Sequence, residues 1–431
     1  MAMLSATSRR HSLLPRIVLT RLYNSVAKSA AAVNASDADA TSFSLSASSP
    51  LSPSAAKSLL LKEYDPDKAL SIMSSVTHPY SSPTSSRFAV ELAVRRLATA
   101  RRFEDVESLL EKRKSDPAAA QESFVGTVIL AYGSARMLDH AISTFEDVCR
   151  LCSAPPTTIS FNALLSAAVR AKKHRKVRML FSELSEKYAI SPDPVSYSVL
   201  VKALCLSGKA GKAFEILKEI EEKGFKVTTF IYTSLLDSLY KKGESDKAEE
   251  LWNQMTEKGC KPDLATYNVR IMHKAHHGSP EDVLRSISEL EAAGLKPDEI
   301  TYNYLMTCYS RTERFDEMNE VYKGLKSKGC KPNAATFKIM LKFLCEKGDF
   351  DAGFDLFKDS MKHNRIPDFR TLRPFVVGLA KNFKVEEAKT VISVVRQRFP
   401  ESLISGWKVV EEELGLITGT QASDQAEAAE S

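Results

Sequence analysis

The chain has 431 residues, of which 43% are hydrophobic and 26% charged, with seven cysteines and a formal charge of +6. This composition excludes collagen-like and wholly disordered chains, and no run approaches the ~20 apolar residues of a membrane-spanning helix. An odd cysteine count in so long a chain does not fit a small secreted disulfide scaffold and suits a reducing compartment.

Residues 1–36 contain Arg9, Arg10, Arg16, Arg21 and Lys28 and no carboxylate. With Leu13, Leu14, Ile17, Val18, Leu19 and Leu22 these can form a basic amphipathic helix, the form of a mitochondrial presequence. Arg16 and Arg21 interrupt the apolar core that a secretory signal would need. Arg21-Leu22-Tyr23 before Asn24-Ser25 resembles a mitochondrial processing site, which places cleavage near Tyr23 and the mature chain in the mitochondrial matrix. A disordered basic tail and a chloroplast transit peptide are the alternatives. Residues 1–30 are therefore assigned to the presequence and the Ser/Ala-rich residues 31–54 to a linker. Without residues 1–23 the chain keeps 56 basic against 54 acidic groups, so net charge is no argument for nucleic acid.

A 35-residue period dominates the rest of the chain. Tyr197, Tyr232, Tyr267, Tyr302 and Phe337 succeed one another at that spacing, Leu372 continues the series, and Phe161 lies 36 before Tyr197. A second series closes the units: Ser191-Pro192-Asp193, Lys261-Pro262-Asp263, Lys296-Pro297-Asp298, Lys331-Pro332-Asn333 and Ile366-Pro367-Asp368. Gly224, Gly259, Gly294 and Gly329 form a third, with Gly208, Gly243, Gly278 and Gly348 inside the units. Three series in one register define a tandem array. Within Thr229–Asp263, Phe230, Tyr232, Leu235, Leu236 and Leu239 recur at helical spacing, and Gly243 supplies a stop. A second stretch runs through Ala248, Leu251, Trp252 and Met255 to Gly259; Pro262 prevents continuation and Asp263 can start the next helix. Neither helix buries its apolar stripe alone, so neighbouring pairs must stack into a continuous core. The expected fold is all-α, a solenoid of helix-turn-helix units.

A 35-residue pair ending in Lys-Pro-Asp, with Thr266-Tyr267-Asn268 or Thr301-Tyr302-Asn303 opening the next, resembles the pentatricopeptide repeat family, P-type subclass. The family implies a right-handed superhelix. Six clear units span 158–368. Degenerate helical repeats fill 55–157: Glu122–Thr157 keeps Ala141, and Arg87–Gln121 is helically plausible. A degenerate repeat with Arg370 and Arg373 at its start and a capping helix near Trp407 fill 369–416; the Ala/Glu tail 417–431 reads as disordered. The tetratricopeptide solenoid, a peptide binder, has a different period and a Trp…Leu-Gly…Tyr pattern absent here.

The fourth-place aromatic reads as core, while the fifth-place residue projects a short polar group away from it, near the unit's last residue. The resemblance implies that these two positions read one RNA base per unit. The pairs are Asn162 with Asp193 (U), Ser198 with Thr228 (a purine), Thr233 with Asp263 (G), Asn268 with Asp298 (U) and Asn303 with Asn333 (C or U). Lys338 with Asp368 matches no familiar pair, and Lys338 is assigned to phosphate. The implied core, 5′-U-purine-G-U-pyrimidine-3′, occurs about once in 256 nucleotides, so a longer site or a partner must add selectivity. Ile159, Val195, Phe230, Ala265 and Ile300 are expected to sandwich bases, and Arg170, Lys202, Lys241, Lys274 and Arg311 to approach phosphates, a solvated face being the alternative.

Other signals carry little chemistry. Cys149-Arg-Leu-Cys152 lacks a second pair for zinc, and the equivalent placement of Cys205 with Cys345 and of Cys260 with Cys330 suits packing. His273, His276 and His277 lack a spaced partner and read as exposed. No zinc-deaminase signature, phosphate loop, nucleophile elbow or His-Glu-x-x-His occurs, and about 60 residues after the last clear unit are too few for a nuclease domain. The reading is a non-catalytic protein with no cofactor, no metal, no membrane span and no small-molecule substrate. Its expected partner is single-stranded mitochondrial RNA, messenger or ribosomal. A structural subunit of the mitochondrial ribosome and a protein-binding helical scaffold are the alternatives.

Overall fold

The computed structural model describes residues 51–76, 83–399 and 401–416. The expected presequence, the linker to residue 50 and the tail 417–431 lie outside the described residues. The described chain opens with Pro53–Lys62 (α1), Pro66–Ser74 (α2), Pro83–Thr99 (α3) and Phe103–Lys114 (α4). Glu122–Ala135 (α5), Leu138–Glu146 (α6) and the short Val148–Cys152 (α7) come next. The six clear units are Thr158–Arg170 (α8) with His174–Lys187 (α9), Pro194–Leu206 (α10) with Ala210–Glu222 (α11), and Thr229–Lys242 (α12) with Ser245–Glu257 (α13). Then come Leu264–His277 (α14) with Pro280–Ala292 (α15), Glu299–Arg311 (α16) with Phe315–Gly324 (α17), and Ala334–Lys347 (α18) with Phe350–Lys362 (α19). Phe369–Lys381 (α20), Val385–Arg398 (α21) and Glu401–Glu413 (α22) complete the array. Helix begins at Pro53, capped by Ser52, so the stretch read as linker ends two residues earlier than its composition suggests.

Each boundary has a local cause. Asp193, Asp263, Asp298 and Asn333 each accept the N3 backbone N–H, while the N3 hydroxyl oxygen of Ser196, Thr266, Thr301 or Thr336 accepts from the backbone N–H of the cap, forming capping boxes. Gly243 and Gly348 end α12 and α18 at φ +76° and +74°, a left-handed conformation that costs glycine nothing. Phe383 occupies the equivalent turn at φ +58° and is 95% exposed.

The packing is a right-handed α-solenoid superhelix, with first helices stacked on first helices and one apolar cluster running from Ala56 to Leu416. Phe161, Tyr197, Tyr232, Tyr267, Tyr302 and Phe337 are all buried, as expected of core at the fourth place. Tyr232 is 1% exposed and its hydroxyl has no hydrogen-bond partner among the described residues. Stranding a buried hydroxyl costs about 1–3 kcal/mol. Tyr232→Phe is therefore expected to raise stability by roughly 1 kcal/mol, read as a higher denaturant midpoint at unchanged slope.

Two features join the degenerate units to the rest. Gly126 and Gly133 on α5 face Ala163 and Ala167 on α8; a Cβ at Gly133 would stand 2.4 Å from the Ala167 Cα. The first pair also meets the far end of the array, where the Tyr64 and Phe399 rings are 4.8 Å apart and Asn364 Nδ2 lies 3.4 Å from the Leu61 carbonyl. The two ends of the array thus touch.

Candidate nucleic-acid interface

The fifth and last positions lie at the same junction in each clear unit and bond directly where the fifth residue is Asn, because the cap of one first helix lies beside the first turn of the preceding one. Asn162 Nδ2 donates to Asp193 Oδ1 at 3.1 Å, Asn268 to Asp298 at 3.2 Å, and Asn303 to Asn333 at 3.1 Å. The amide oxygens accept from Ser196 (2.6 Å), Thr301 (2.8 Å) and Thr336 (2.8 Å). Each amide is thereby oriented from both ends, yet an Asn side chain offers two N–H groups and two oxygen lone pairs, so a donor and an acceptor remain. In the third unit Thr233 Oγ1 pairs with Thr266 Oγ1 at 2.8 Å, and Thr266 donates to Asp263 at 2.7 Å. Ser198 turns back onto the Pro194 carbonyl at 2.7 Å and lies 3.5 Å from Thr228 Oγ1.

The hydroxyls of Ser196, Thr266, Thr301 and Thr336 escaped the residue-by-residue reading. Their own 35-residue spacing from Thr266 onward was the available signal. They also correct the expectation that the fifth side chain projects away from the core: Thr233, Asn268 and Asn303 are only 3%, 7% and 6% exposed, whereas Asn162 is half-buried. The reason is that the next unit's hydroxyl closes over the amide. What faces solvent beside this row is apolar. Ile159 and Val195 are 52% and 49% exposed, and Phe230, Ala265 and Ile300 are half-buried. A row of sealed polar edges flanked by open apolar side chains is chemically suited to flat, amphipathic ligands such as bases.

In the preceding unit the fifth residue is Gly126, and Glu122 takes over the junction. Its carboxylate accepts from the Thr157 backbone and hydroxyl (2.7 and 2.8 Å) and from the Ser160 backbone and hydroxyl (3.1 and 2.6 Å). Burial opposes ionisation there, but these bonds prevail and hold the Glu122 carboxyl below its usual range.

The expected phosphate contacts divide. Arg170 is committed to Glu91 at 3.2 Å and Ser134 at 3.0 Å, and Arg311 to the carbonyls of Ala275 and Gly278 at the end of α14, so both guanidinium groups serve the stack instead. Lys202 is 7% exposed and 3.9 Å from Asp237; burial pushes its ammonium below the ordinary lysine value. Lys241 lies 2.7 Å from the same Asp237 but remains exposed, and Lys274 is half-buried. Lys338 is half-exposed, 4.0 Å from Asp368.

Two secondary expectations also meet the structure. His273 is not exposed: its ring stacks on Tyr240 at 4.5 Å and its Nε2 meets Ser245 Oγ at 3.0 Å, because Tyr240 ends the preceding first helix. Cys260 and Cys330 are buried, each 3.9 Å from a carbonyl of the preceding junction, Val227 or Pro297. Among the described residues, no three His, Cys, Asp or Glu side chains gather as a metal site, and no helix is long and apolar enough to cross a membrane.

Fold and junctions together define a helical-repeat protein that presents one polar pair per unit, and the chain belongs to the pentatricopeptide repeat family. The PPR repeat family matches residues 156–206, 227–273 and 297–346, and the PPR repeat matches residues 195–225 and 335–364. The chain is similar to small ribosomal subunit protein mL103 (rPPR7) of Arabidopsis thaliana, 48% identical over 86% of this chain and 90% of that protein. It is also similar to a mitochondrial pentatricopeptide repeat-containing protein of the same plant, 41% identical over 86% of this chain and 87% of the other. The crystal structure of PPR10 from maize aligns at 22% identity and a TM-score of 0.42, over 79% of this chain and 49% of that one.

Proposed function

We propose that this protein binds single-stranded RNA in the mitochondrial matrix without catalysing a reaction, each clear unit reading one base through its fifth and last residues. The observation that carries the reading is the thrice-repeated amide pair, Asn162–Asp193, Asn268–Asp298 and Asn303–Asn333 at 3.1–3.2 Å, each oriented by a hydroxyl from the next unit. A peptide-binding groove has no need of such an arrangement repeated from unit to unit. The exposed Ile159 and Val195 would cover the faces of a base while the polar pair meets its edge. The units before Thr158 offer no such amide, since Glu122 fills their last junction.

Selection from a random RNA pool by the chain lacking residues 1–50 tests this. The expected enrichment is U-purine-G-U-pyrimidine read parallel to the chain. A pool that emerges unenriched, or bound RNA that fails to crosslink above a control, would reject the base-reading account and favour a protein-binding scaffold.

A second reading has its own support, the 48% identity to a protein named as a ribosomal subunit. As a structural subunit, the protein would hold ribosomal RNA, and the assembly would supply the affinity that a handful of base contacts cannot. Sedimentation of organelle extracts at high salt separates the two readings. Co-migration with ribosomes identifies a subunit, whereas migration with a messenger identifies a gene-expression factor.

A further inference from the structure

Most second helices obey the electrostatic rule for a helix start. In α2, α4, α6, α13, α15, α17, α19 and α21 the first turn carries Asp or Glu, which offsets the positive end of the helix dipole. Helices α9 and α11 break it. Neither has an acidic residue in its first turn or a side-chain cap, and basic residues stand there instead: Lys173, Arg175 and Lys176 at α9, Lys209 and Lys212 at α11.

These two starts are neighbours in the stack, so their charges add. Residues 163–182 hold six Lys or Arg and no carboxylate, and residues 194–214 hold three and none. Lys172, Lys173, Arg175, Lys176 and Arg178 are exposed, as are Lys209 and Lys212. Of these seven, only Lys176 has an ion pair among the described residues, 3.8 Å from an Asp139 that is itself 89% exposed. A near-neutral chain has thus concentrated uncompensated cations on one edge, where they oppose helix stability. Local rules broken without a folding benefit mark function.

We infer that this edge, at the turns of the first two clear units, is a second RNA-binding surface that grips the phosphate backbone of a base-paired stem. The strand in the groove cannot be its ligand. Lys172 lies ten residues beyond Asn162 along α8 and the turn after it, about 15 Å from the base-reading row. Among the described residues the exposed phenylalanines, Phe103, Phe369 and Phe383, all lie elsewhere, and the one ring among these cations, His174, is half-buried. Cations without stacking rings suit duplex RNA, which is held through shape and phosphates. The inference extends the RNA-binding reading but does not depend on the base code.

The test compares two RNAs on the full-length protein: the single-stranded core sequence, and the same core joined to an unrelated hairpin. The variant carries Lys172→Gln, Lys173→Gln, Arg175→Gln and Lys176→Gln. Wild-type protein is expected to bind the hairpin-bearing RNA more tightly. The variant should lose about 30-fold or more on that RNA, with a salt slope lower by about 2–3, and change less than about threefold on the bare strand. Its melting temperature should equal or exceed that of wild type, which separates lost contact from lost fold. Equal losses on both RNAs, or no hairpin advantage in wild type, overturn the inference. So does variant-sensitive binding to phosphatidylserine vesicles without hairpin preference, which assigns the edge to a lipid surface. Asn268→Ala serves as the converse: it should weaken the bare strand and keep the hairpin advantage, so failure of the base code is seen independently.

Discussion

Thr233→Asn is expected to move the base preferred by the third clear unit from G toward U by tenfold or more, while the other positions stay unchanged. The neighbouring unit supplies the geometry. There Asn268 donates to Asp298 and accepts from Thr301, and Asp263 with Thr266 reproduces that acceptor and donor around position 233. Thr233 brings one hydroxyl, already shared with Thr266 at 2.8 Å. Asn brings two N–H groups and a carbonyl, and after pairing with Asp263 and Thr266 it keeps one donor and one acceptor for a pyrimidine edge. A tenfold change corresponds to about 1.4 kcal/mol, within the 1–3 kcal/mol of one mismatched base contact. Affinities for RNAs differing only at that base check it. Unchanged ranking of the four bases would remove the fifth position from recognition, whatever the fold does.

Gly133→Leu is expected to have the largest effect on stability. A Cβ at this position meets the Ala167 Cα at 2.4 Å and its carbonyl oxygen at 2.8 Å, so the obstacle is backbone and cannot turn aside. Removing glycine from a helix interior gains about 1 kcal/mol. Forcing a larger side chain between packed helices costs about 1–3 kcal/mol and more when backbones must separate. The steric cost wins, and Leu exceeds Ala. Because a solenoid is held by contacts between neighbours, the damage should remain at the α5–α8 seam. Thermal unfolding should split, with the units before Thr158 melting first, and base selectivity by the later units should survive. A single transition at the wild-type temperature would contradict the close approach.

Much of this architecture was legible in the residues because its causes are local. Asp263 and Gly243 act within a few residues of themselves, one as a cap and the other as a stop, and the 35-residue spacing of Tyr197 through Phe337 reports the stripe that stacking must bury. The pairing of fifth and last residues in the Asn units was legible for the same reason, since a fixed repeat brings the same two positions to the same junction. The phosphate contacts were not. Arg170 looks like any basic residue near a helix end until Glu91, 79 positions away, takes its charge. Lys202 looks solvated until the stack buries it against Asp237.

The residue order by itself determined the units, their helices and caps, and the row of Asn and Thr side chains, because hydrogen bonds and apolar stripes within one repeat need no distant partner. Only the tertiary structure decided which polar groups are spent and which stay open. Thr301 and Thr336 seal the amides of the units before them, and Gly278 and Ala275 hold Arg311. Lys172, Lys173 and Arg175 are left exposed on one edge. Each of these outcomes depends on what the adjacent repeat places within a few ångströms. A lysine or an asparagine carries no mark of that neighbour until the repeats are stacked.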